Sequence, residues 1–451
     1  MSMLRWRRIA RWPTFSTSAA ATSATAATAR WSDALELSGG RKPLVAIGLS
    51  GGVDSAVAAH ELLSRGCDVV GVHLRSWDQE EESADGRPAS GECGEADRRD
   101  AQRVAAALGI ELHDVDLVSE YWRDVFEPFL GGLRAGMTPN PDLPCNVHIK
   151  FDALLRHACG RLGADWLATG HYAQLRRARP GEGDGCEPTL LRGLDPLKDQ
   201  SYFLAAVPPQ SWRRVLLPLG GWEKRRVRQR AEELGLVSVS AKRSSAGLCF
   251  VGRRRFDRFL EGYLQAAPGT VRSVEGDRRE VVAEHGGTWN YTIGQGARIG
   301  GGASKMFVVG KDAEADVVWV GEGTDHPALY ARELISCADV CWGGAGPAAA
   351  EASALRCQVR YSHEAADCEV EVLSEHGGGE GSGFEGSALF RSAPEEGQQG
   401  GERLLVRFAE RQRALTPGQA LVLYDASGAV VASATIAAFG RTQFEEHTKS
   451  K

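Results

Sequence analysis

No stretch of this 451-residue chain approaches the ~18–20 consecutive apolar residues that a membrane-spanning helix needs, which excludes a span of that kind and leaves no membrane partner expected. Its ten cysteines are irregularly spaced, with no C-x-x-C pair, and this argues against a disulfide scaffold in a reducing compartment. Cys67 and Cys159 sit among apolar or helical residues and read as bystanders. No internal repeat is visible. The first 31 residues contain no Asp or Glu but carry Arg5, Arg7, Arg8, Arg11 and Arg30 in a background of Ser, Thr and Ala. They also lack the continuous apolar stretch of a secretory signal, so their composition is that of an organelle transit peptide. Import into the mitochondrion is expected, with the plastid as the alternative.

Formal charge is −6, and about −11 once those five arginines are removed, which is not the signature of a nucleic-acid binder. Much of that charge is local. Glu364 to Glu402 holds ten acidic residues against Arg391 alone and is rich in glycine, so it reads as a disordered acidic loop. Basic clusters stand out elsewhere, at Lys224, Arg225, Arg226, Arg228 and Arg230, and again at Arg253, Arg254, Arg255 and Arg258. Charge alone neither supports nor excludes RNA.

From Pro43 onward, short apolar runs alternate with helical patterns. Strands are expected at Leu44–Gly48, Val69–Leu74, Ile110–Val115 and Ala164–Thr169, and helices at Ala56–Ser64 and Asp97–Leu108. Alternation of this kind predicts an α/β domain, a doubly wound parallel sheet with helices on both faces, over residues 41–235. Residues 1–40 are expected to be leader and linker. A small mixed central domain is expected over 236–328, with a short helix from Arg255 to Leu264. Beyond it, strand-like runs separated by turns fit a β-barrel over 329–441 with an acidic insertion at 374–402 and a tail at 442–451.

The first chemical motif is the S-G-G-V-D-S run of Ser50 to Ser55, between the first strand and the first helix. Its two glycines let backbone N–H groups approach phosphate oxygens, and the helix N-terminus behind them adds unpaired donors. Ser50 and Ser55 add hydroxyls, while Asp54 is assigned to magnesium or to orienting the loop. The lysine of a Walker A loop is absent. The motif resembles the PP-loop ATP pyrophosphatases, which imply an adenine-nucleotide α-hydrolase-like fold and cleavage of ATP between its α- and β-phosphates.

Two cysteines lie in distinctive settings. Cys145 ends T-P-N-P-D-L-P-C, where three prolines predict an extended, rigid loop presenting Asp142 beside the thiol. A carboxylate next to a thiol suits proton transfer and thiolate chemistry; an incidental cysteine on a surface loop is the alternative. Cys249, in A-G-L-C-F-V-G, has Lys242, Arg243 and Arg253 to Arg255 nearby in sequence, which would favour a thiolate or persulfide; a buried strand cysteine is the alternative. Lys198, Asp199 and Gln200 precede an apolar helix start and read locally as a helix cap.

Taken together, G-L-S-G-G-V-D-S, E-Y-W-R-D-V-F, G-M-T-P-N-P-D, C-N-x-x-I-K-F, A-T-G-H-Y, L-L-R-G-L-D, K-D-Q-S-Y-F-L, G-L-C-F-V-G and A-L-T-P-G-Q resemble the tRNA-specific 2-thiouridylases, from Gly48 to Gln419. The resemblance implies that Gly48, Leu49, Ser50, Gly51, Gly52, Val53, Asp54, Ser55, Leu74 and Gly170 bind ATP with Mg2+. It implies that Asn140, Pro141 and Asp142 meet the target base, and that Lys198, Asp199, Gln200, Arg360 and Tyr361 touch tRNA. Cys249 would carry the sulfur as a persulfide, with Cys145 its catalytic partner; a Cys145–Cys249 disulfide would form if Cys145 frees the sulfur as sulfide. An iron–sulfur cluster on Cys145, Cys249 and Asp142 is a secondary use of the same groups. A cysteine desulfurase or sulfur-relay protein is the implied donor. Another PP-loop adenylating ligase, or a non-catalytic ATP-sensing RNA-binding protein, are the competing readings.

Three departures from the family pattern stand out. Pro144 takes an aliphatic position, Ser244-Ser245-Ala246 replaces D-S-T, and Gly296 stands where an arginine usually follows the glutamine, with Arg298 a possible substitute.

Overall fold

The computed structural model describes Trp31 and residues 41–77, 92–177, 187–236, 255–265, 267–275, 280–299, 304–352, 354–373, 384–392 and 401–449. Cys249 and its basic neighbours Lys242, Arg243, Arg253 and Arg254 therefore lie outside the described residues, as do Arg5, Arg7, Arg8, Arg11 and Arg30.

The first domain is built on parallel strands. β1 (Leu44–Gly48) is flanked by β2 (Asp68–Arg75) and then β3 (Leu112–Asp116) on one side, and by β4 (Trp166–Ala168) on the other. A hairpin of β5 (Ala173–Arg176) and β6 (Thr189–Arg192) follows, and β7 (Val215–Leu216) pairs with β4 to complete the order β3-β2-β1-β4-β7. Val45, Ala46 and Ile47 are fully buried, as expected of a central parallel strand covered on both faces. Helices α1 (Val53–Ser64) and α2 (Glu92–Leu108) lie in the two crossovers that return the chain to the sheet. Trp31, in the stretch expected to be leader and linker, packs on the same core with the Arg65 guanidinium 5.9 Å from its ring.

A second, mixed sheet has the order β16-β10-β11-β8-β9, from β8 (Gly269–Ser273), β9 (Val281–His285), β10 (Met306–Asp312), β11 (Val317–Glu322) and β16 (Phe390–Arg391). The last strand corrects the expectation of a disordered acidic loop there. Leu389 and Phe390 lie within the acidic insertion, but both are buried and β16 pairs in parallel with β10. Apolar side chains returning to a core outweigh the flanking charge.

The C-terminal unit is a closed barrel. Strands β12 (Tyr330–Ser336), β17 (Arg403–Arg413), β15 (Ala366–Leu373), β14 (Leu355–Gln358), β18 (Ala420–Tyr424) and β19 (Val430–Phe439) follow one another, and β12 pairs with β19 to close the ring. A short β13 (Cys341–Trp342) extends β19 at its edge. Closure removes the sheet edges that would otherwise invite pairing between chains. One apolar core runs from the parallel sheet through Phe259 and Leu260 into Val422 and Tyr424 of the barrel.

Candidate active site

The S-G-G-V-D-S turn lies at the carboxyl end of β1, where an open parallel sheet places its ligand crevice. Gly51 has φ +68°, and a Cβ there would lie 2.6 Å from the Asp97 carbonyl, so the turn requires glycine on both counts. The Ser55 hydroxyl accepts from the Ser50 N–H at 3.3 Å and donates to the Gly52 carbonyl at 3.1 Å, holding the loop folded at the N-terminus of α1. Gly170, at the end of β4, presses on this turn: a Cβ would come within 2.8 Å of the Ser55 nitrogen. The glycine-lined loop and open helix terminus fit the phosphates of ATP.

Asp54 has two partners that sequence reasoning missed. The Lys224 ammonium donates to both carboxylate oxygens, at 2.5 and 2.6 Å, and the Tyr172 hydroxyl donates at 2.6 Å. Burial and the Asp54 charge push the Tyr172 phenol well up, so it stays a donor. Lys224, grouped by sequence with the exposed arginines that follow it, is instead 8% exposed. Of the two uses expected of Asp54, the loop-orienting one has these contacts behind it.

Around Cys145 the structure overturns an expectation. The three prolines do not enforce an extended loop. Asp142–Pro144 is a helical turn that runs directly into Cys145–Ala153, wound with the wider π spacing, and then into Leu154–Gly160. Pro141 stands at the N-cap and Pro144 in the first turn, where proline's missing N–H has no helical partner to lose. That also accommodates the Pro144 departure. The Cys145 N–H donates to the Pro141 carbonyl at 3.1 Å, so Cys145 is a helix-start residue. Asn140 folds back on the same turn, its side-chain oxygen accepting from the Asp142 N–H at 3.0 Å. Burial raises the Asp142 carboxyl above the usual range, and nearby Lys150 opposes the rise. A carboxyl whose proton burial holds more tightly is suited to proton transfer beside a thiol.

A line of contacts joins this turn to the nucleotide loop. The Lys150 ammonium donates to the Asn146 side-chain oxygen at 2.9 Å, and Phe151 lies 5.7 Å from the His171 ring. Burial holds His171 well below its ordinary pKa, hence neutral, and its Nδ1 is 2.8 Å from the Thr169 hydroxyl. His171 adjoins Gly170, which presses on Asp54 and Ser55. Asn146 also donates to the Phe203 carbonyl at 2.9 Å, and the Phe203 ring lies 4.4 Å from that of Tyr361.

The other expected tRNA contacts divide. Asp199 is buried, accepting from the Gly193 and Ser201 N–H groups and from Arg192, which makes it a brace for its own loop and not a surface group. The Gln200 side-chain oxygen accepts from the Tyr172 N–H at 2.9 Å. The next residues seat the domain on the barrel, with the Ser201 hydroxyl 3.0 Å from that of Tyr424 and the Tyr202 hydroxyl donating to the Ala420 carbonyl. Lys198 stays partly exposed. Arg360 donates to the carbonyls of Ile293 and Ala414, and with Tyr361, Thr292, Ser362 and Gln419 it lines a cavity of about 250 Å³. Leu74 is half-buried at the end of β2. Gly296 is bridged to Phe307, and Arg298 is exposed with φ +55°. Among the described residues no cluster of three His, Cys, Asp or Glu is arranged to hold a metal, and no helix is long and apolar enough to cross a membrane.

Comparison with known proteins follows the same outline. A family profile described as "tRNA methyl transferase HUP domain" matches residues 43–253, a "tRNA methyl transferase PRC-barrel domain" matches 257–322, and an "Aminomethyltransferase beta-barrel domain" matches 396–436. The tRNA-specific 2-thiouridylase MnmA of Pseudomonas aeruginosa (strain LESB58) is 41% identical over 89% of this chain and 97% of its own length. The same-named protein of Alkaliphilus oremlandii is 41% identical over 84% of this chain and 93% of its own. Among solved structures, a 4-thiouridine synthetase–RNA complex with bound ATP aligns with 49% of each chain at 20% identity and a TM-score of 0.29. The chain belongs to the tRNA-specific 2-thiouridylase family.

Proposed function

We propose that this protein is a tRNA-uridine 2-sulfurtransferase that spends one ATP per sulfur inserted. The observation that carries the reading is the line of contacts from the nucleotide loop through Gly170, His171 and Phe151 to the turn bearing Asp142 and Cys145. A loop built to split ATP and a thiol–carboxyl pair belong to one reaction only if an oxygen is activated and then replaced. Methyl transfer, the term in two profile descriptions, has no use for that activation.

The uridine C2 oxygen attacks the α-phosphorus, pyrophosphate departs, and C2 now bears AMP as leaving group. Persulfide sulfur on Cys249 then attacks C2 and AMP leaves. Either the persulfide attacks directly and Cys145 afterwards cleaves the S–S bond, or Cys145 first displaces the outer sulfur as sulfide. Both routes end in a Cys145–Cys249 disulfide that an external thiol must reduce. Asp142 moves the protons. ATP brings magnesium; Lys224 takes up both Asp54 oxygens, so Asp54 is assigned to the loop and not to the ion. The wobble uridine leaves its stack to reach the turn, with Asn140 and Pro141 against the base and Lys198, Arg360 and Tyr361 toward the tRNA. A cysteine desulfurase or relay protein reloads Cys249. The Arg-rich leader sends the chain to the mitochondrion, the plastid being the alternative, and a reporter fused to residues 1–40 reads that address.

Mass analysis of tRNA from cells whose only copy carries Cys249→Ala tests the reaction. Loss of wobble 2-thiouridine from organelle tRNA is expected, and its persistence at the normal level would sink the proposal.

A further inference from the structure

The buried Lys311 has no part in the reaction as described. It lies on β10 of the central sheet, 1% exposed, with its ammonium 3.4 Å from the Met137 carbonyl and 3.3 Å from the Thr138 hydroxyl. Both acceptors belong to the first domain, in the segment that leads into Asn140, Asp142 and Cys145. The barrel grips the same residue from another side. The Thr138 N–H donates to the Pro417 carbonyl at 2.8 Å, and the Gln419 side chain donates to the Thr138 carbonyl at 2.6 Å. Every polar group of Thr138 is thus held by another domain, two by the barrel and one by the central sheet. Gln419 also lines the cavity that contains Arg360 and Tyr361.

We infer that Lys311 is a positioning residue for the sulfur-transfer turn: from the central sheet it fixes the entry of the segment that carries Asp142 and Cys145. A buried ammonium bonded to a carbonyl and a hydroxyl, both neutral, is a poor device for stability, because an apolar side chain of similar length packs there without desolvating a charge. Burial pushes Lys311 down to about 7, in keeping with that cost. What the ammonium supplies is direction. It ties two oxygens of one short segment to a rigid strand, four residues before Asp142 and seven before Cys145. Reaction geometry is unforgiving at this scale, since a displacement of about 1 Å can lower a rate about 100-fold.

Lys311→Met separates positioning from stability. The full-length variant is expected to melt at or above the wild-type temperature, with kcat for tRNA thiolation lowered about tenfold or more and the KM for ATP within about twofold of wild type. Thr138→Val removes the facing hydroxyl and is expected to lower kcat similarly, whereas Thr138→Ser retains activity. Lys311→Met added to Thr138→Val is expected to lower kcat no further, because both act through one contact. This inference rests on the thiolation reading, so a second readout needs no tRNA: iodoacetamide alkylation of Cys145, followed by peptide mass, is expected to quicken severalfold in Lys311→Met. Unchanged kcat and unchanged alkylation would overturn the assignment. So would a lower melting temperature with activity lost in proportion to folded protein, or multiplicative effects in the double variant.

Discussion

Removing the Lys224 ammonium tests the bond that holds the nucleotide loop in shape. In Lys224→Met the Asp54 carboxylate keeps the Tyr172 hydroxyl but loses both ammonium contacts, at 2.5 and 2.6 Å. Breaking a buried ion pair by deleting one partner costs about 3–5 kcal/mol, because the remaining charge is stranded. The Asp54 side chain is 33% exposed and that of Lys224 10%, so water relieves part of the penalty and the low end, about 3 kcal/mol, is the expectation. For a cooperative unit of roughly 150–250 residues that is a fall of about 6–12 °C in Tm. Asp54→Asn in the same chain removes the stranded charge and should recover most of the loss. Thermal melts of the two single variants and the double variant give the coupling directly. ATP titration should show a raised KM in Lys224→Met, since the loop is no longer fixed. A Tm within about 2 °C of wild type, or a double variant whose loss equals the sum of the singles, would refute the reasoning.

Asp142→Asn should abolish thiolation while leaving Tm unchanged or higher at neutral pH. The sign follows from the raised pKa: the folded state holds this proton more tightly, so ionised Asp142 costs stability, and the cost grows as pH rises from the unfolded toward the folded pKa. Urea melts of wild type and variant from pH 4 to 7 check it, the gap in favour of the variant widening with pH. Gly170→Ala drives a Cβ toward the Ser55 nitrogen, 2.8 Å away, and should raise the KM for ATP about tenfold or more with little change in the KM for tRNA. Cys145→Ser should still release pyrophosphate with tRNA present, since adenylation precedes sulfur transfer, yet form no 2-thiouridine in multiple turnover.

The first domain was legible because its signals are local. β1, the glycine turn and α1 are contiguous, and burial of Val45 to Ile47 follows from the apolar run itself. The barrel was legible for the same reason, its strands being separated by turn residues. The Cys145 turn was misread because prolines were weighed as helix breakers without regard to position, although at the N-cap and in the first turn they break nothing. Lys224 was hidden among arginines of similar charge, and its partner is 170 residues away in sequence. The reach of Lys311 to Thr138 spans 173 residues, and no periodicity encodes it. Asp199 read locally as part of a helix cap and only the resemblance gave it a tRNA contact; its burial depends on Arg192 and the Gly193 N–H, which no local pattern encodes. Leu389 and Phe390 were outvoted by the acidic residues around them.

The most direct measurement is stoichiometric. The purified chain is incubated with ATP, magnesium, a cysteine desulfurase with cysteine, a thiol reductant and unmodified tRNA. AMP, pyrophosphate and 2-thiouridine are then counted. The account predicts one of each per turnover with the wild type, and no 2-thiouridine with Cys249→Ala. Pyrophosphate and AMP without thiolated nucleoside, or thiolation undiminished in Cys249→Ala, would contradict it.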